Sequence, residues 1–207
     1  MYKKFVKRLL DIILSFSGLV CLLWLYIIIA AAVFIDDPGP VFFRQRRSGR
    51  GGSTFICYKF RSMKMSTPHD VPTHLLRDPD SYITRVGRFL RKSSLDELPQ
   101  LWNILRGDMS VVGPRPALPN QTDLLAERDK YGANDLRPGL TGWAQINGRD
   151  ELAIPVKAGL DGEYVRRLSF IFDCRCFFGT VTSVLRHDGV VEGGTGQMKR
   201  DGEEEDE

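Results

Sequence analysis

The sequence predicts a mainly helical α/β protein, a compact body with few short strands held to a membrane through its N-terminal helix. Three observations lead there. Ile12 to Ile35 is a run of 24 residues without a charged side chain. Two segments, VFFRQRR (41–47) and TFICYKFRSM (54–63), read as short strands. Three others, ITRVGRFLRK (83–92), LDELPQLWNILRG (95–107) and LSFIFDCRCFFGTVTSVLR (168–186), read as helices.

The uncharged run comes first. As a helix it would extend roughly 36 Å, enough to cross a hydrocarbon core of about 30 Å. It is longer than the apolar part of a signal peptide, which runs about 7–15 residues. Lys3, Lys4, Lys7 and Arg8 precede it, and Arg44, Arg46, Arg47 and Arg50 follow it. Positive charge stays on the cytoplasmic side, so a straight crossing has no preferred direction, whereas a re-entrant hairpin keeps both clusters inside. A hairpin needs a break that re-satisfies the backbone. The run has no proline, so Ser15, Ser17 and Gly18, or a kink near Trp24, must supply it. Re-entrant and transmembrane forms both stand at this point.

Asp37-Pro38-Gly39-Pro40 ends the run by turn chemistry. On the second strand Lys59 and Arg61, two apart, share a face. Residues 64–80, polar and proline-rich, read as a loop. Along 83–92, Arg85, Arg88 and Lys92 form a basic stripe opposite Val86, Phe89 and Leu90, fit for solvent or for anionic lipid headgroups. Along 95–107 the apolar face is Leu98, Leu101, Trp102 and Leu105, with Gly107 as the C-terminal cap. Asp96 and Glu97 fall in the first turn, where the helix dipole favours negative charge. Ser94 with Glu97 fits a capping box, which leaves Asp96 without a structural role. In VVGPRP (111–116), Pro114 and Pro116 restrict the backbone on both sides of Arg115, and a rigid guanidinium suits phosphate. LRPGLTGWAQINGR (136–149) joins three glycines to Arg137, Arg149 and Trp143, a composition suited to close phosphate approach. Trp143 is placed to stack on a base or to sit at a membrane interface. The 168–186 helix fits a core or an interfacial position equally well.

Composition narrows the partners. Net charge is +3, but the last seven residues, DGEEEDE, hold six acids, so residues 1–200 carry 29 basic and 20 acidic side chains. A body with net charge +9 points to phospholipid, nucleotide or nucleic acid. Nucleic acid is set aside because no helix-turn-helix or zinc-finger spacing occurs. Cys21, Cys57, Cys174 and Cys176 form no C-x-x-C pair, and His69, His74 and His187 lack ligand spacing, which fits a reducing cytosol without a metal or disulfide framework. An anchor, a carboxylate pair and Lys/Arg on four segments suit an anionic, phosphate-bearing substrate that meets a lipid. An aspartate can attack phosphorus to form an acyl phosphate, and a neighbouring glutamate can hold Mg²⁺ with phosphate and water completing its shell.

The ordered motifs YKKFVKRLLD, GPVFFRQRR, YKFRSM, RVGRFLRKSSLDELPQLWNILRGDMSVVGPRP, LRPGLTGWAQINGR and a later DxxY…LSFxxD pattern resemble the bacterial sugar transferases, the monotopic phosphoglycosyl transferases, from about Tyr2 to Leu185. By size the chain is similar to their short form. The resemblance implies transfer of a sugar 1-phosphate from a UDP-sugar to polyprenyl (undecaprenyl) phosphate with release of UMP, as the first membrane step of a glycan pathway. It implies Asp96 as nucleophile and Glu97 as ligand of Mg²⁺, with Mn²⁺ as substitute. Arg115 matches the family's phosphate-contacting arginine, and Lys59, Arg88, Arg137 and Arg149 match its basic motif positions. The implied division is an anchor at 1–36, a cytoplasmic catalytic domain at 37–190 and an acidic, disordered tail at 191–207. The implied location is the bacterial inner membrane with the body in the cytoplasm. Partners are the UDP-sugar, the lipid phosphate and anionic phospholipid, with a homodimer left open and no nucleic acid. A membrane scaffold with a basic surface is the non-enzymatic alternative; it explains anchor and charge but not the carboxylate pair. The sequence does not name the sugar.

Overall fold

The computed structural model describes residues 2–67, 79–148 and 152–186; Arg149, most of the 64–80 segment, His187 and the acidic tail lie outside them. Within the described residues the protein is mostly helical, with four short strands in two two-stranded sheets.

The uncharged run is a bent helix pair, α1 (Lys7–Cys21) and α2 (Leu23–Asp36), crossing at 62°. Among the described residues no single helix is long and apolar enough to cross a membrane. The bend falls at Leu22, two residues before Trp24. No proline is needed, because backbone bonding continues through it: Leu22 N–H donates to the Gly18 carbonyl and Tyr26 N–H to the Leu22 carbonyl, both at 3.0 Å. Ser15 breaks nothing; its hydroxyl donates back to the Asp11 carbonyl at 2.6 Å. The bend is held from outside. A side chain on Gly18 would meet Leu101 at 2.9 Å, so α1 lies directly against residue 101, while the Tyr26 hydroxyl donates to the Leu98 carbonyl at 2.5 Å. Both arms thus grip residues 98–101. The outward faces present Phe16, Leu23, Trp24, Ile27 and Ile35, each more than half exposed.

β1 (Phe42–Ser48) and β2 (Thr54–Phe60) form an antiparallel hairpin with Phe42 opposite Phe60 and Ser48 opposite Thr54. α3 (Arg85–Lys92) starts at Thr84, whose Oγ1 accepts from Gly87 N–H at 2.9 Å. A 3₁₀ turn, Leu95–Glu97, then precedes α4 (Gln100–Arg106), which Gly107 closes at φ +97°. α4 takes the place of a third strand beside β2. Its buried Asn103 accepts from Tyr58 N–H at 3.1 Å and donates to the Ile56 carbonyl at 2.7 Å. An amide side chain offers a donor and an acceptor side by side, which is what an open strand edge requires.

β3 (Ser110–Val112) pairs in parallel with β4 (Gly139–Thr141). Around them lie α5 (Thr122–Asp129), the short α6 (Trp143–Ile146), α7 (Ile154–Arg167) and α8 (Phe170–Arg186). One core gathers Ile104, Met109, Val112, Trp143, Tyr164 and Phe172; a second joins Ile29 and Val33 of α2 to Phe60 and Leu90. The Asp11 carboxylate ties α1 to β3, accepting from Ser110 Oγ at 3.0 Å and Val111 N–H at 2.9 Å.

Several sequence expectations change here. Trp143 is a core residue, its indole N–H donating to Glu163 at 2.8 Å, because the ring packs on Phe172 and under Arg175. In the glycine-rich segment, Gly139 and Gly142 serve close backbone packing. A Cβ on Gly139 would stand 2.1 Å from Gly113 N, so the backbone just past β3 approaches β4 too closely for a side chain at position 139. Phe89 is exposed on the basic side of α3, and Gly87 and Leu90 form the inward face. α8 packs one face into the core through Phe172 and Cys176 and leaves Ile171 and Phe178 exposed on the other.

A Cβ on Gly87 would lie 2.0 Å from the Ser62 carbonyl oxygen, so α3 rests on the end of the hairpin with no room for a methyl group. Gly87→Ala should therefore destabilise the protein by about 1–3 kcal/mol despite the better helix propensity of alanine. Chemical denaturation in detergent measures this; a stability gain would show that the contact does not hold α3.

Candidate active site

The 3₁₀ turn carries Asp96 and Glu97, and the capping box expected there does not form. Ser94 sits at φ +56° and its hydroxyl caps no N–H, so the Glu97 side chain is released from the helix start. It turns to two cations. Lys59 Nζ, on β2, donates to Glu97 Oε1 at 2.6 Å, and Arg115 Nη2 donates to the same oxygen at 3.2 Å. Lys59 Nζ also stands 3.7 Å from Asp96 Oδ2. Asp96 is 7% exposed and accepts no hydrogen bond among the described residues.

Each partner arrives by a separate route. Asn103 fixes β2 against α4, which brings Lys59 to the turn. Arg115 follows β3 in the sequence Gly113-Pro114-Arg115-Pro116; Gly113 N–H donates to the Thr141 carbonyl and Gly139 N–H to the Pro114 carbonyl, both at 2.8 Å. Tyr26 holds the Leu98 carbonyl, directly after the pair.

The two carboxyls respond in opposite directions. Burial raises the Asp96 carboxyl; Lys59 opposes this and the Glu97 charge reinforces it, leaving Asp96 above the ordinary carboxylate range. Burial acts on Glu97 as well, but Lys59 and Arg115 outweigh it and hold its carboxyl far below that range. One acid is thus a fixed anion. The other is desolvated, with Lys59 standing off at 3.7 Å, so burial dominates its titration.

The remaining candidates divide. Arg88 is exposed on α3 and takes no part in the interactions around the pair, while Arg91, three residues later, adds its charge to the field at Asp96 and donates to Ser62 Oγ at 3.0 Å. Arg91 was missed; reading the helix outward from Leu90 instead of from the basic stripe would have placed it inward. Arg137 lies at the other end of α4. Its Nε donates to the Gly107 carbonyl at 2.9 Å, beside Arg8, which donates to the Ile104 and Leu105 carbonyls at 2.6 and 2.9 Å. It serves as a C-terminal cap, where helix carbonyls lack partners and the dipole favours cations. Arg149 lies outside the described residues.

The chain matches the bacterial sugar transferases over residues 2–187. It belongs to that family. Among relatives, it is 44% identical over 186 residues to the UDP-glucose:undecaprenyl-phosphate glucose-1-phosphate transferase of Xanthomonas campestris pv. campestris, covering 86% of this chain and 38% of that protein. It is 40% identical over 187 residues to the uncharacterized sugar transferase EpsL of Bacillus subtilis, covering 90% of this chain and 91% of that one. It is 38% identical to the undecaprenyl-phosphate galactose phosphotransferase of Salmonella typhimurium, covering 90% of this chain and 42% of that protein. The chain therefore spans less than half the length of the Xanthomonas and Salmonella members of the family, and nearly all of the Bacillus one.

The two acids predict stability changes of opposite sign. Asp96 titrates higher in the fold than in the open chain, so the folded state tolerates its charge poorly once pH exceeds the ordinary carboxylate pKa. Asp96→Asn should raise the Tm at pH 7. Glu97 titrates lower in the fold, so its stabilisation is present above the ordinary pKa and fades as pH falls through the depressed one. Glu97→Gln should lower the Tm at pH 7, less so at acid pH. Differential scanning fluorimetry of both variants across pH checks this; equal shifts would contradict the assigned asymmetry.

Proposed function

We propose that the protein transfers a sugar 1-phosphate from a UDP-sugar to polyprenyl phosphate with release of UMP, through a covalent intermediate on Asp96. The observation that carries this reading is the asymmetric carboxylate pair: Glu97 bonded to Lys59 and Arg115, Asp96 buried beside them with Lys59 Nζ at 3.7 Å. The names of the Xanthomonas and Salmonella relatives, both undecaprenyl-phosphate transferases, support the same substrates. A lipid-binding scaffold has no use for a desolvated acid.

In this reading an ionised Asp96 oxygen attacks the sugar-bearing phosphorus of the diphosphate. The bond from that phosphorus to the bridging oxygen breaks, and UMP leaves with the oxygen. A phosphate oxygen of the polyprenyl acceptor then attacks the same phosphorus and releases the Asp96 carboxylate. Both attackers are anions, so neither displacement needs a general base. The proton affinity that burial gives Asp96 makes it the better nucleophile of the two acids, provided pH keeps it ionised. Arg115 and Lys59 lie where they can neutralise diphosphate oxygens, and Pro114 and Pro116 limit the ordering cost.

A divalent ion at this site would draw most of its ligands from substrate and water. Among the described residues no cluster of three or more His, Cys, Asp or Glu side chains could hold it. Lys59 and Arg115 both bond Glu97 at Oε1, so Glu97 would serve as the protein ligand through its other oxygen, with substrate phosphate and water supplying the rest. When bound, Mg²⁺ or Mn²⁺ would neutralise charge on the diphosphate and its leaving group.

The bent pair α1–α2, with its apolar outer faces, would enter the membrane and return on the side it entered, keeping the catalytic body with the cytosolic donor.

Turnover tests the chemistry. UMP release from a panel of UDP-sugars should require a divalent ion and, beyond one equivalent per protein, polyprenyl phosphate, and Asp96→Asn should lower turnover at least about 10³-fold. Unchanged turnover in that variant would remove Asp96 from the mechanism. The rate should fall as pH drops through the raised Asp96 value, so its acid limb should lie above the ordinary aspartate pKa of about 3.9. Topology is separable. With the native cysteines removed, single cysteines at positions 2 and 48 should both resist an impermeant thiol reagent in intact cells and label after permeabilisation. Labelling at position 2 in intact cells would mean a straight span.

A further inference from the structure

The DxxY pattern, Asp161 to Tyr164 on α7, has no part in the chemistry above, yet Asp161 is a carboxylate with 1% side-chain exposure. Its partner is Arg128 at the end of α5, 3% exposed. Arg128 Nε donates to Asp161 Oδ2 at 2.7 Å, and Nη2 lies equally close to that oxygen without the alignment of a hydrogen bond. Asp161 Oδ1 is also left without a hydrogen bond among the described residues. An ion pair taken this far from water and left partly unsatisfied is a poor source of stability; apolar residues of similar volume commonly do as well. What such residues could not supply is the remaining contact. Arg128 Nη1 donates to the carbonyl of Arg115 at 2.9 Å.

That carbonyl matters because of what surrounds it. β4 holds Gly113 N–H and the Pro114 carbonyl, Arg47 donates to the Pro116 carbonyl at 3.1 Å, and Ser48 N–H donates to the Ala117 carbonyl at 2.9 Å. The Arg115 carbonyl lies between these tethers, and its own side chain reaches Glu97. We infer that Arg128, oriented by Asp161, is a positioning residue that fixes the Arg115 peptide and so aims the Arg115 guanidinium at the carboxylate pair. The inference rests on the transferase reading only for its catalytic consequence; the backbone constraint stands apart from it.

A structural role would fasten α5 to α7 and nothing more, and three variants separate the two. Arg128→Lys keeps a cation opposite Asp161 but cannot reach the carboxylate and the Arg115 carbonyl together. Arg128→Met with Asp161→Leu replaces the pair by apolar volume. Arg115→Ala removes the side chain being positioned. Arg128→Lys should lower kcat/KM for the UDP-sugar about tenfold, the worth of one charge-assisted hydrogen bond. In the Arg115→Ala background it should cost nothing further, because residues acting through one another are not additive. The Met/Leu double variant should keep the native Tm yet show the same catalytic loss. Native kcat/KM in the double variant, or equal losses for Arg128→Lys in both backgrounds, would overturn the inference. Hydrogen exchange decides independently of turnover: residues 113–118 should exchange faster in both the Lys and the Met/Leu variants, with α5 and α7 protected as in the native protein. If the native protein released no UMP from any donor, the transferase reading would fail; unchanged exchange at 113–118 would then still refute the positioning role.

Discussion

Everything at the site depends on one electrostatic constraint: two adjacent carboxylates share a turn that is nearly closed to water. Charge removed from water must be compensated or neutralised. The chain compensates one acid and leaves the other largely uncompensated. Lys59 and Arg115 both bond to the same oxygen of Glu97, while Lys59 stands 3.7 Å from Asp96. The asymmetry gives adjacent acids different electrostatics, one a constant anion and the other with a raised proton affinity.

The fold can be understood as the means of delivering those two cations. Lys59 lies on a strand whose outer edge is satisfied by Asn103 of α4, which ties the strand to the helix that follows the turn. Arg115 lies beyond a parallel strand pair that Asp11 of α1 ties to the apolar helices. Those helices return to the turn through Tyr26 and Gly18. A change in how the bent pair sits in its surroundings therefore has a short mechanical path to the peptide after Glu97.

Much of this was legible in the sequence and some was not. The β1–β2 hairpin strands, the basic helix and the Pro-flanked arginine could be read because their signals are local: alternation, helical spacing and proline restriction, whereas the three-residue strands β3 and β4 were not read as strands. The resemblance singled out Asp96, Glu97, Lys59, Arg88, Arg115, Arg137 and Arg149, and the structure brings Asp96, Glu97, Lys59 and Arg115 together. Arg137 could not be separated from them by sequence, since a cation that caps a helix and one that binds phosphate have the same composition. Its contact with Gly107 is a tertiary fact. The capping box failed because Ser94 adopts a left-handed conformation that propensity does not foresee. Trp143 and Asn103 were obscure for a related reason. A buried polar group is recognised by its partners, and Glu163 and the edge of β2 are distant in sequence.

The central claim is that Asp96 becomes covalently bound during turnover. The most direct test is intact-protein mass spectrometry after mixing with a UDP-sugar and Mg²⁺ and no lipid acceptor, followed by peptide mapping. The account predicts a mass increase equal to the sugar phosphate, confined to the peptide containing Asp96 and discharged by polyprenyl phosphate. UMP formation that requires both substrates together, with no adduct at any time in the native protein, would contradict it.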